Sequence, residues 1–143
     1  MIDENDDGAA LVHAVGDAIK ARYGDRVAID YPEVVEHPLS IVTFTPRREG
    51  AVDLMVYGHF DWGFQVDVGE VTMLEDQFFN PPESEHIARI VSIVDAFATH
   101  GLVKVRKLRF LGPLSPTAYD SRSRLHDLLA KPSSKVVKEW LPW

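Results

Sequence analysis

A chain of 143 residues without cysteine, 45% hydrophobic and 26% charged, has the balance of an ordinary globular domain. That excludes a disordered polyelectrolyte, a disulfide scaffold, a thiolate metal site and a cysteine nucleophile. The formal net charge of −7 is unevenly spread: residues 1–86 hold 18 acidic and 5 basic side chains, net −13, and residues 87–143 hold 4 acidic and 10 basic, net +6.

The chain opens Met1-Ile2-Asp3-Glu4-Asn5-Asp6-Asp7, with neither the basic start nor the apolar run of a secretory signal. Residues 1–7 read as a frayed lead-in, with Asp6 or Asp7 able to cap the helix that follows. Ala10, Leu11, Ala14, Val15, Ala18 and Ile19 recur at helical spacing, and Gly24 is a stop one residue beyond Tyr23.

A β-rich block follows. Residues 27–31, 39–45, 51–57, 64–68 and 71–74 each have strand character, from β-branched and aromatic content or from period-two alternation. Phe64, Val66 and Val68 fall on one face, and Gln65 and Asp67 on the other. Residues 47–50 and 58–63 read as turns, so the block is an antiparallel meander.

Asn80-Pro81-Pro82 breaks the chain before the strongest helix signal, with Ile87, Ile90, Val91, Val94 and Phe97 on one stripe and Gly101 as terminator. This stretch is too short and too polar to span a bilayer. Residues 102–111 alternate apolar and basic and predict a strand with a slip of register near Arg106-Lys107. Residues 117–130 predict a short helix with Tyr119, Leu125, Leu128 and Leu129 inward. The tail from 131 to 143 carries Trp140 and Trp143, which need a groove on the body or on a partner chain, where they would make a homodimer.

The order α-β-β-β-β-α-β-α predicts one α+β domain over residues 1–143. It would be an antiparallel sheet of about five strands with helices packed on one face. With no targeting or membrane segment, a soluble cytoplasmic protein is expected.

Chemistry-bearing motifs are sparse. The sequence contains no Walker or dinucleotide glycine run and no Gly-x-Ser-x-Gly elbow. His13, His37, His59, His86, His100 and His126 include no i, i+4 pair for a metal. No metal and no cofactor are expected. The later half offers Lys104, Arg106, Lys107, Arg109, Arg122, Arg124, Lys131, Lys135 and Lys138. An overall acidic chain repels a polyanion, so these cations are expected to pair with the acidic half rather than meet nucleic acid.

Gly58-His59-Phe60-Asp61-Trp62-Gly63 stands out, with two large aromatics and a carboxylate between glycines. Asp53, Asp67, Glu70, Glu75 and Asp76 surround it in sequence. Aromatic anchors ringed by charge are the composition of an interface hot spot, and an acidic face steers a basic partner. The candidate partner-binding residues are therefore Asp53, His59, Phe60, Asp61, Trp62, Asp67, Glu70, Glu75 and Asp76, with none assigned to catalysis. Phe60 and Trp62 would anchor.

The run Val52-Asp53-Leu54-Met55-Val56-Tyr57-Gly58-His59-Phe60-Asp61-Trp62-Gly63-Phe64-Gln65-Val66-Asp67-Val68-Gly69-Glu70, then the helix of residues 84–100 closed by Gly101 and a strand, resembles the immunity proteins of bacterial polymorphic-toxin systems. The resemblance covers about half the chain and lies in composition and element order. It implies a non-enzymatic inhibitor that binds a basic toxin. Two rival expectations stand beside it. One is a small ligand-binding domain or enzyme with a pocket lined by Tyr57, His59 and Asp61. The other is a subunit of a homo-oligomer joined through the tail.

Overall fold

A computed structural model describes residues 7–34, 39–59, 63–77, 83–107, 117–131 and 134–143. The fold is α+β. Helix α1 (Asp7–Tyr23) is followed by strands β1 (Val27–Asp30), β2 (Leu39–Pro46), β3 (Leu54–His59), β4 (Gly63–Val68) and β5 (Val71–Gln77). Helix α2 (Glu83–His100), strands β6 (Leu102–Lys107) and β7 (Thr117–Ser121), helix α3 (Leu125–Leu129) and strand β8 (Ser134–Trp140) complete the order. Of the lead-in expected over residues 1–7, Asp7 is instead the first residue of α1, and residues 1–6 lie outside the described residues.

Strands β1 to β5 form the expected antiparallel meander, each strand pairing with the next in sequence. Alternation puts Val42, Phe44, Leu54, Val56, Phe64, Val66 and Val68 on one face, all buried. Both long helices close over that face. Helix α2 gives Ile90, Val91, Val94 and Ala98 to the same core as α1 and the sheet. Each fully buried Phe, Leu or Ile here contributes roughly 1.5–3 kcal/mol relative to exposure.

The buried face of α1 is rotated from the sequence stripe. It consists of two i, i+4 ridges, Gly8-Val12-Gly16 and Leu11-Val15-Ile19, while Ala10 is exposed. Gly8 opens the first ridge where the helix touches strand backbone, whereas Gly16 faces the Tyr31 side chain. A β-carbon on Gly8 would lie 2.5 Å from the carbonyl carbon of Gly58.

The strand expected over residues 102–111 does not join the meander. Strands β7, β6 and β8 form a separate antiparallel sheet with β6 in the centre. Residues 117–121, expected as helix, are β7, and only residues 125–129 form α3. Cross-strand pairing with β6 overrides the weak helical pattern there, and β-branched Thr117 and aromatic Tyr119 suit a strand. The register shift against β8 lies between Lys104 and Val105, not at Arg106-Lys107. Val103, Val105, Leu128, Leu125 and Val136 make a small second core between this sheet and α3. Leu128 is buried as expected, whereas Leu129 is 65% exposed.

The tail is strand β8 and then a plug into the main core of its own chain. Trp140 and Trp143 are both buried. Leu141 bridges to Ala51, Val52 N–H donates to the Leu141 carbonyl (2.9 Å), and Trp143 N–H donates to the Ala98 carbonyl (2.8 Å). Gly101 takes a positive φ of 77° to turn α2 into β6, as expected of a C-terminal glycine.

Candidate protein-binding surface

The meander has a second face, opposite the helices. Cross-strand partners share a face, so the register defines it. Asp30 pairs with Thr43, Thr43 with Met55, Ile41 with Tyr57 and Leu39 with His59. Met55 pairs with Asp67, Tyr57 with Gln65, Asp67 with Thr72 and Gln65 with Glu75. Leu39, Ile41, Met55 and Tyr57 form a half-buried apolar strip across its middle. Asp30 and Glu75 stand exposed toward opposite edges.

Asp67 is the organised polar group on this face. Gln65 Nε2 donates to its Oδ1 at 2.9 Å, and Thr72 Oγ1 donates to the same oxygen at 2.8 Å. The Tyr57 hydroxyl reaches Asp67 as well. Burial, the nearby Asp67 charge and the hydrogen bond to it together push the Tyr57 pKa above its ordinary value. Asp67 is thus a half-buried carboxylate held in place by neutral donors.

The sequence-predicted residues do not form one cluster. Asp67, Glu75 and His59 share the open face. Asp53 is exposed just before β3, with its carbonyl accepting from Gly69 N–H at 2.8 Å. Asp76 is the cross-strand partner of core residue Phe64, so it turns to the helix side and pairs with Arg89 at 2.7 Å. The Arg89 hydrogen bond, with a second from Gln77 N–H, holds its carboxyl below the usual range. Glu70 sits in the β4–β5 turn and pairs with Lys104 at 3.4 Å. Partial burial raises its pKa, but hydrogen bonds from Tyr119 and Lys104 outweigh that and bring it lower. Phe60, Asp61 and Trp62 lie outside the described residues.

Sequence reasoning left Leu39, Ile41, Met55, Gln65 and Thr72 out of the site and gave Tyr57 only to the pocket alternative. Parity along β2 and β3 was the available signal. Apolar residues at both parities hid it, because Val42, Leu54 and Val56 look no different from Ile41 and Met55.

The charged halves cancel in part, as expected, through Lys104–Glu70 and Arg89–Asp76, while Arg22–Asp95 joins them in the opposite sense. Arg122 and Arg124 pair instead within their own half, with Glu139 and Asp120. Among the described residues no group of three or more His, Asp or Glu is placed to hold a metal ion. No described helix is long and apolar enough to cross a membrane. Grooves run between α1 and β1, between β5 and α2, and between the small sheet and α3, and neither Tyr57 nor His59 lines them. No family model, curated protein or solved structure matches the chain.

Proposed function

We propose that the chain is a non-enzymatic protein-binding domain, an immunity-type inhibitor that captures a basic cognate toxin in the cytoplasm through the open face of the meander. The observation that carries this reading is the pairing of an apolar strip with an oriented carboxylate. Leu39, Ile41, Met55 and Tyr57 offer apolar contact area, and Asp67 offers a charge whose partners among the described residues, Gln65, Thr72 and Tyr57, are neutral. A lysine or arginine of a partner would complete it, with its stem along Tyr57 and Met55. Asp30 and Glu75 at the margins would raise the association rate of a basic surface.

The test is a calorimetric titration against the protein encoded by the neighbouring reading frame. Tyr57→Ala and Asp67→Lys should each weaken binding about tenfold or more, the scale of a hot-spot residue, with unchanged circular dichroism. Full affinity in a folded Asp67→Lys chain overturns the reading.

A further inference from the structure

The small sheet gathers cations on one side. Lys104 is the cross-strand partner of Lys138, and Arg106 is the partner of Lys135, so all four share a face with Leu102, Tyr119 and Trp140. The face begins in the core, where Leu102 and Trp140 are buried, and runs outward to Arg106, Lys135 and Lys138, all exposed. Two ammonium groups are seated on aromatic rings there, Lys138 4.5 Å from the Trp140 centroid and Lys104 5.6 Å from that of Tyr119.

Like charges directly opposite each other weaken a sheet, and this one places two such pairs side by side. Glu70 pairs with Lys104, and its charge also acts on Lys138. Among the described residues no ion pair is formed by Arg106, Lys135 or Lys138. The strand positions that carry these cations are spaced roughly 4.8 Å apart across strands and roughly 6.6 Å apart along β6, so positive charge is concentrated on one side of the sheet.

We propose that this basic face binds the phosphate backbone of a nucleic-acid strand. Phosphate contacts need spaced cations and no apolar anchor. A protein partner would want an exposed aromatic or aliphatic anchor, and on this face Leu102 and Trp140 are buried while half-buried Tyr119 is covered by Lys104. The overall charge of −7 argued against nucleic acid in the sequence. At about 0.15 M salt, however, fields fade over about 8 Å, so the local charge governs contact. This site is independent of the open face of the meander.

The test is fluorescence anisotropy with a labelled single-stranded oligothymidylate of about 20 nucleotides in about 20 mM salt, where phosphate contacts are strongest. The wild-type chain should bind, and log affinity should fall against log salt with a slope of about −3, as four contacts to a single strand predict. Arg106→Glu with Lys135→Glu should weaken binding about tenfold or more at that salt, whereas Lys20→Glu on α1 should leave it unchanged. If the charge-reversed chain does not fold, Arg106→Gln with Lys135→Gln takes its place. Absence of binding by the wild-type chain, or equal binding by the folded double variant, overturns the proposal. So does a salt-sensitive dimer in sedimentation that the double variant abolishes without any oligonucleotide binding, since the face would then serve a second copy.

Discussion

Gly8 and Gly58 meet backbone to backbone. A β-carbon on Gly58 would lie 2.3 Å from the Gly8 carbonyl oxygen, and one on Gly8 would lie 2.4 Å from the carbonyl oxygen of His59. The first turn of α1 is thereby pressed onto the end of β3, directly after Tyr57 on the same strand. Neither element can carry a side chain at the crossing.

Gly58→Ala should therefore cost about 3 kcal/mol, the upper part of the overpacking range, because both clashing groups are main chain. For a domain of this size that is a drop of roughly 10 °C in Tm. Gly16→Ala is the internal control. Its β-carbon would meet the hydroxyl of half-exposed Tyr31 at 2.1 Å, the far end of a side chain that can swing away. Ala also recovers about 1 kcal/mol of helix propensity, so this variant should melt within a few degrees of wild type. A thermal melt of both chains checks the contrast.

Trp143 holds the tail in the core. Its indole N–H donates to the Val52 carbonyl at 2.6 Å, and its ring sits edge-on to Tyr23 with centroids 4.9 Å apart. Trp143→Ala should cost about 3–5 kcal/mol, and Trp143→Phe, which keeps most of the volume and loses the hydrogen bond, about 1–2 kcal/mol. Urea midpoints measure both. A chain cut after Lys131 loses β8, Trp140 and Trp143 together, and should show no cooperative unfolding transition.

Tyr23 sets the alkaline limit. Burial, reinforced by its 2.6 Å hydrogen bond to Asp95 and by that residue's charge, pushes its hydroxyl up to about 12 from an ordinary value of 10.0. The folded state therefore holds this proton more tightly than the unfolded chain. The resulting stability is complete below pH 10 and is lost as pH rises toward 12. Urea midpoints measured across that window should fall, and Tyr23→Phe should flatten the fall. An equal slope in the variant would assign the loss to other groups.

Glu70→Lys would set a further cation against Lys104 and Lys138, and it removes the carboxylate that both Lys104 and Tyr119 reach. The urea midpoint should drop at low salt, and the drop should shrink as salt screens the repulsion. Because the residue lies in the turn joining β4 to β5, away from the open face, affinity for a partner on that face should stay unchanged.

The meander was legible because its strands follow one another with short connections and alternate in a way that local sequence records. Helix α2 was legible from its stripe and its glycine terminator. Residues 117–121 and 134–140 were not, because neither stretch alternates cleanly and each becomes a strand only by pairing with β6. The separation of β6 from the meander was hidden for the same reason. Strand character is local, but the choice of neighbour is not.

The candidate site divides along the same line. The sequence by itself determined the α+β content, the acidic meander and basic second half, and the presence of Asp67 on a strand position that avoids the core. Only the tertiary structure decided which carboxylates are available. It turned Asp76 to the helix side beside Arg89, brought Glu70 to Lys104, and left Asp67 among neutral donors. It also buried both terminal-segment tryptophans in their own chain and lined up four cations on one face of the small sheet. Side-chain parity is written into consecutive residues, whereas ion pairs and docked aromatics join positions 13 to 91 residues apart, and such contacts exist only once the sheets and helices have packed.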